Sequence, residues 1–231
     1  MRHICKRASK TAKRIFSVLL LFAITVTATS CGSKWDSFMA SIGFDTKDYD
    51  SEKVIKSYSV DGELAAELSA SVRMLTLNTP VIEEFRGSSE AISLFRDCVL
   101  NYMLITNYSR YIGDIETLDE AAEAYPYMKV TNIIPASEFE QTYYRFFGGS
   151  TKISNRSGEY FIYLPKIEAY TAISEPQTAD IKVTVLSLEE TQNTYRMCVT
   201  LTLCDNTSPA YNLLLIKRDD GTFYFKSCAR A

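Results

Sequence analysis

Histidine is nearly absent: the 231-residue chain has one, His3. That scarcity excludes more chemistry than any motif supplies. Ser-His and Cys-His nucleophile pairs need an imidazole base, and so do imidazole-ligated zinc and histidine acid–base catalysis. The chain also lacks the G-x-S-x-G elbow, G-x-G-x-x-G, the P-loop and C-x-x-C, and beyond residue 31 it has no S-x-x-K. No cofactor motif and no metal-ligand spacing is present, so neither a cofactor nor a metal is expected, and no catalytic residue is assigned. Carboxylate chemistry of the glycosidase type remains open, although Asp and Glu are abundant without a distinctive arrangement.

A long apolar run is missing as well. The first fourteen residues hold Arg2, Lys6, Arg7, Lys10, Lys13 and Arg14 and no acid. The apolar stretch "IFSVLLLFAITVTA" follows, about 14 residues where a membrane-spanning helix needs roughly 20. A positive region, a short apolar region and then small residues is the layout of a secretory signal peptide. Ala28, Thr29 and Ser30 supply the small residues, and Cys31 follows them.

The stretch "TVTATSCGSKW" resembles the lipobox of bacterial lipoprotein precursors. The resemblance covers about the first 35 residues. It implies cleavage of the Ser30–Cys31 bond, a diacylglyceryl group with fatty acyl (palmitate-type) chains on the Cys31 thiol, and an extracytoplasmic domain held at the cell membrane by that lipid. The position three before the Cys, usually Leu in that family, is Ala28 here. Ala28 also suits an ordinary signal peptidase cutting the same bond, which would leave the chain secreted; an uncleaved anchor is the third arrangement.

Cleavage would remove six basic residues and no acid, leaving 19 basic against 28 acidic residues, a formal charge of −9. Phosphate backbones repel such a domain, and no Lys/Arg cluster beyond residue 31 offsets this, so nucleic acid is not an expected partner. The remainder, about 200 residues, suits a single core. The expected organisation is a signal peptide at 1–30, a lipid-anchored tether at 31–51 and one α+β domain at 52–231. Residues 32–52 are small and polar, as in a flexible tether. Trp35 would rest at the membrane interface or pack on the domain. Asp48, Asp50 and Glu52 alternate like a calcium loop but lack its Gly and its distal Glu, so a solvated acidic segment is expected.

From 52 to 147 the apolar period is helical. Leu64, Leu68, Val72 and Leu75 make one stripe, and Ile92, Phe95, Val99, Tyr102 and Met103 make another after a start near Ser88. Thr117 with Glu120, and Ser137 with Glu140, read as capping boxes. Phe139, Tyr143 and Phe146 form the face of the last helix, which Gly148 should stop. From 158 to 228 the period switches to two over five segments, with a hairpin turn at Asp220-Gly221. Short links favour a meander. Tyr195, Met197, Val199, Leu201 and Leu203 should face the helices, and Arg196, Cys198, Thr200, Thr202 and Cys204 the other side.

The expected fold is therefore α+β, a helical N-terminal half packed on a C-terminal antiparallel meander. A cone similar to the NTF2-like fold is the alternative. The phrases "IIPASEFEQTYYRFFG" and "GTFYFKSC" are similar to segments of uncharacterised bacterial lipoproteins, a likeness that carries no function. Of Cys98, Cys198, Cys204 and Cys228, the middle pair lies roughly 20 Å apart along one strand, beyond disulfide reach. At most one bridge is expected. Two functions stay open: a binding or accessory module for an unidentified ligand or protein partner, and a carboxylate-dependent hydrolase of envelope or extracellular polymer. Two carboxyl groups aimed at one space, about 5–10 Å apart, would mark the hydrolase.

Overall fold

The structure, a computed structural model, describes residues 48–77, 81–113, 115–127, 130–149, 153–175 and 180–231. The leader, the Ser30–Cys31 bond, Trp35 and nearly all of the expected tether lie outside them. The unit that carries the fold is Tyr49–Ala231.

In chain order its elements are β1 (Lys56–Ser57), α1 (Glu63–Met74), β2 (Phe85–Arg86), α2 (Ser88–Thr106), α3 (Tyr108–Tyr111), α4 (Ile115–Ala124), β3 (Ile134–Pro135) and α5 (Ala136–Phe147). There follow β4 (Phe161–Leu164), β5 (Ala169–Ala172), β6 (Ile181–Glu190), β7 (Thr194–Leu203), β8 (Asn206–Thr207), β9 (Tyr211–Lys217) and β10 (Phe223–Arg230). The class is α+β. One sheet has seven strands in the order β1-β6-β7-β9-β10-β2, with β8 also on β7, and a second has three in the order β3-β5-β4. Every pairing among the described residues is antiparallel.

The meander β6-β7-β9-β10 follows the period-two segments. Gly221 turns the last hairpin at a φ of 83°, and the Asp220 carboxylate accepts from the Thr222 amide at 2.9 Å and hydroxyl at 2.6 Å. Three expectations are corrected. The segment "EYFIYLP" does not join the meander; β4 pairs with β5 in the smaller sheet. All four residues of β5 are buried, so the segment has no polar face and no alternation to read. The region 52–147 is not purely helical, because it supplies β1, β2 and β3, two residues each and too short to show any period.

The capping boxes are the third correction. α4 starts at Ile115, two residues before Thr117. α5 starts at Ala136 behind Pro135, with no side-chain cap bond. The Ala136 amide instead donates to the Glu168 carbonyl at 2.9 Å. Glu140 is taken by Asn155, whose Nδ2 donates to it at 3.3 Å. Tertiary partners have claimed groups that the local motif would use.

The apolar stripes meet in one core. Leu68, Val72 and Leu75 are fully buried, as are Phe95, Val99 and Met103. On α5 the inward residues are Phe139, Tyr143 and Phe147, whereas Phe146 is half-buried. The Phe147 ring lies 5.5 Å from that of Phe95 and 4.9 Å from that of Tyr143, both stacked. It stands edge-on to Phe85 at 5.7 Å and reaches Phe225 at 6.2 Å. Such ring pairs add about 0.5–1.5 kcal/mol each beyond burial. On β7, Met197, Val199 and Leu201 are buried in this core and Cys198, Thr200 and Thr202 are half-exposed on the other face. Cys198, Cys204 and Cys228 are free thiols, Cys228 in the core like the buried Cys98, and Cys204 exposed. Burial pushes the Cys228 thiol up to about 12.

Leu201→Ala should cost about 2–5 kcal/mol, the loss of transfer energy plus the cavity. Thr202→Ala removes only a 3.1 Å contact with the Thr207 hydroxyl on the exposed face and should stay within about 1 kcal/mol. Urea midpoints measure both. Equal losses would mean that both faces of β7 are buried.

Candidate functional site

Two clefts are lined by described residues of the domain. The first, about 290 Å³, lies between α2 and the turn at residues 158–160, with Glu83 on its rim. Asp97 comes from α2, where two charged sequence neighbours, Arg96 and Asp97, interrupt an apolar stripe. Its Oδ2 accepts the amides of Glu159 at 2.7 Å and Tyr160 at 2.8 Å. Its Oδ1 is buried and makes no hydrogen bond among the described residues. Gly158 closes over that oxygen: a Cβ at this position would stand 2.0 Å from it. Only glycine fits. Burial raises the Asp97 carboxyl above its ordinary range, against the opposing pull of the two amides and of Arg96.

Arg96 is 6% exposed and donates from Nη2 to the Ser154 carbonyl at 3.3 Å. Its Nε makes no hydrogen bond among the described residues. Burial lowers the guanidinium pKa. Tyr143, Tyr170 and Asp97 around it favour the charge. The chemistry of this cleft is thus one of closure. Both Asp97 oxygens are spent on the turn, one in hydrogen bonds and one beneath Gly158, and the carboxyl does not present an acid to the open space.

The second cleft, about 510 Å³, runs between α1 and the first half of β6. On the helix side Ala65, Ala66, Ser69 and Ala70 leave room, with Arg73 at one end and Asp61 at the other. On the strand side five consecutive residues, 181–185, line it. Successive strand side chains point to opposite faces, so a cavity touching five in a row lies along the strand's edge.

Hydrogen bonds fix which backbone groups face this edge. The Leu201 carbonyl accepts from the Ser208 amide at 2.8 Å, and the Leu201 amide donates to Ser208 Oγ at 3.0 Å, both on the side away from β6. By alternation Thr200 and Thr202 face β6, where they pair with Thr184 and Lys182. Ile181, Val183 and Val185 therefore point their amides and carbonyls into the cleft. β1 covers only the far end, through Ile55 to the Glu190 carbonyl at 2.8 Å and Tyr58 to the Leu188 carbonyl at 2.9 Å. Beyond Tyr58 a turn, closed by the Gly62 amide on the Ser59 carbonyl at 3.1 Å, lifts the chain into α1. That departure opens the edge.

In the acidic segment Asp48 and Asp50 are exposed, while its backbone and Glu52 are held by the sheet. Arg196 Nη2 donates to the carbonyls of Tyr49 at 2.8 Å, Asp50 at 2.9 Å and Glu52 at 3.0 Å. The Glu52 carboxylate accepts from Asn193 Nδ2 at 2.6 Å and from the Thr191 hydroxyl at 2.5 Å. A guanidinium thus gathers three backbone carbonyls of the segment, at the start of the compact unit Tyr49–Ala231. Among the described residues, no group of three or more Asp, Glu, His or Cys is placed to hold a metal. No helix there is long and apolar enough to cross a membrane.

The sequence-predicted site residues, Ser30 and Cys31, lie outside the described residues. No sequence motif marks Asp97, Gly158 or the β6 edge. The one available signal was the charged pair Arg96-Asp97 inside the stripe of α2. No protein-family model, curated protein or solved structure matches this chain.

Asp97 offers a direct check on the first cleft. Its folded pKa is raised, so the protonated carboxyl favours the fold. That contribution is complete below the ordinary value of 3.8 and is lost as pH rises through the folded value. The stability of the wild type relative to Asp97→Asn should therefore climb as the pH is lowered from neutral toward 3.8. A difference in urea midpoints that stays flat or falls would contradict the burial of this carboxyl.

Proposed function

We propose that the chain is the precursor of an extracytoplasmic lipoprotein, anchored to the cell membrane by a lipid on Cys31, whose folded domain is a binding or accessory module. The observation that carries the anchor is the order of residues 2–31: six cations, a short apolar run, Ala28-Thr29-Ser30, then Cys31. In this reading cleavage after Ser30 leaves residues 31–48 as the tether, and the domain starts where Arg196 grips residues 49–52. The helices of 52–147 back one face of the sheet of the C-terminal half and hold it rigid. A mature charge of −9 keeps the module from nucleic acid.

The module reading is favoured over the hydrolase by the clefts themselves. Glu83, Asp97 and Glu159 border the first one, and a hydrolase would need one of them as an acid facing its substrate. Asp97, the one whose carboxyl is raised, has its oxygens turned to the protein. The second cleft offers backbone groups and a mixed polar lining, a surface suited to holding rather than cutting.

Mass spectrometry of the N-terminus from membranes should find Cys31 as the first residue, carrying diacylglyceryl. Cys31→Ala should shift the protein out of the membrane fraction or leave it as the full precursor. An unmodified Cys31 at the N-terminus would overturn the anchor.

A further inference from the structure

The edge of β6 is unfinished. Ile181 and Val185 are only 2% and 8% exposed, yet each aims an amide and a carbonyl at the cleft, where no described backbone meets them. Backbone polar groups this enclosed are nearly always paired. We propose that the cleft between α1 and β6 receives an extended segment of a partner polypeptide carrying an acidic side chain, which pairs with Ile181, Val183 and Val185 and continues the line of β1. The proposal rests on the reading of the domain as a binding module and names what it binds.

Three observations select this occupant. The line of β1 stops at Tyr58, where the chain turns away, so a segment running antiparallel to β6 continues the existing pairing along the edge without displacing anything. The free edge from 181 to 185 spans about 13 Å at the rise of a strand, enough for three alternate residues to pair. The small side chains of Ala65, Ala66, Ser69 and Ala70 leave room for the incoming residues that point toward α1.

Charge decides the chemistry. Arg73 and Lys182 line the cleft against a single acid, Asp61, and among the described residues neither cation makes an ion pair. In a domain whose formal charge is strongly negative this is a local positive site. It fits a carboxylate on the incoming strand. A second copy of this chain fits badly, because edge-to-edge pairing of two β6 strands sets Arg73 and Lys182 of each copy against those of the other, and like charges across a strand pair are destabilising. The β-bulge between Val185 and Ser187 ends the open edge, a device that also keeps such edges from pairing indiscriminately.

The test uses the full-length chain and a short blocked peptide of alternating Val and Thr with one central Glu, beside a twin with Lys in its place. The acidic peptide should shift the amide resonances of Ile181, Val183 and Val185 and bind about five-fold more tightly than its twin at low salt. Arg73→Glu with Lys182→Glu should reverse that order. Val183→Pro removes an amide that faces the edge and not the β7 ladder, a place where strands tolerate proline, and should abolish binding. The charge-reversed variant keeps the test decisive if the proline variant fails to fold. Shifts at another edge, equal binding of the two peptides, no binding, or self-association through β6 would each overturn the proposal. Loss of binding with a lipidated Cys31 would leave the anchor standing, and binding with an unlipidated Cys31 would leave the cleft standing.

Discussion

The ring of Phe147 holds the domain together. It stacks on Phe95 of α2 and on Tyr143 of its own helix, stands edge-on to Phe85 of β2 and reaches Phe225 of β10. One side chain thereby joins two helices to the sheet. Removing a ring so placed costs about 3–5 kcal/mol, a large part of the roughly 5–15 kcal/mol that a domain has in total. The neighbouring geometry serves that position. Gly148 stops α5 at a φ of 66°, and the Tyr224 ring packs where its Cβ would be, at 2.6 Å. Arg218 of the last hairpin then donates to the carbonyls of Tyr144 at 2.7 Å and Arg145 at 3.1 Å, closing the helix end.

With α5 fastened to β10, the two edges of the main sheet have different fates. At one edge β2 pairs with β10 immediately before α2, and the Gly87 amide donates to the Lys226 carbonyl at 2.7 Å. At the other, β1 pairs with only the end of β6. The turn into α1 leaves the remainder open. The closed edge and the open edge follow from one fact: the aromatic residues are concentrated on α2, α5 and β10, and the small residues on α1. Glu52 and Arg196 pin the chain's entry at the β6–β7 turn, away from the open stretch of β6.

Alternation made the long strands readable in advance. Met197, Val199 and Leu201 fall on the core face that their spacing assigned, and the stripe of α1 buries Leu68, Val72 and Leu75 as read. Elements whose identity depends on distant partners could not be read. β5 is buried on both faces, so its four residues carry no period, and β1, β2 and β3 exist only because β6, β10 and β5 accept them. Phe147 rather than Phe146 reaches the core because it continues the row of Phe139 and Tyr143 at four-residue spacing, and whether the i+3 or the i+4 residue goes inward is decided by the partner surface. Neither cleft was legible. Asp97 acts on a turn some sixty residues later in the chain, and the edge of β6 is defined by where β1 departs, which no local pattern records.

The central claim is that a rigid aromatic core leaves the first half of β6 open to pairing. Amide hydrogen exchange on the unbound protein tests this most directly. The account predicts that the amides of Ile181, Val183 and Val185 exchange quickly while those of Met197, Val199 and Leu201 on β7 exchange only through opening of the whole domain. Protection of the three β6 amides at the level of β7 would show the edge to be closed and would contradict the account.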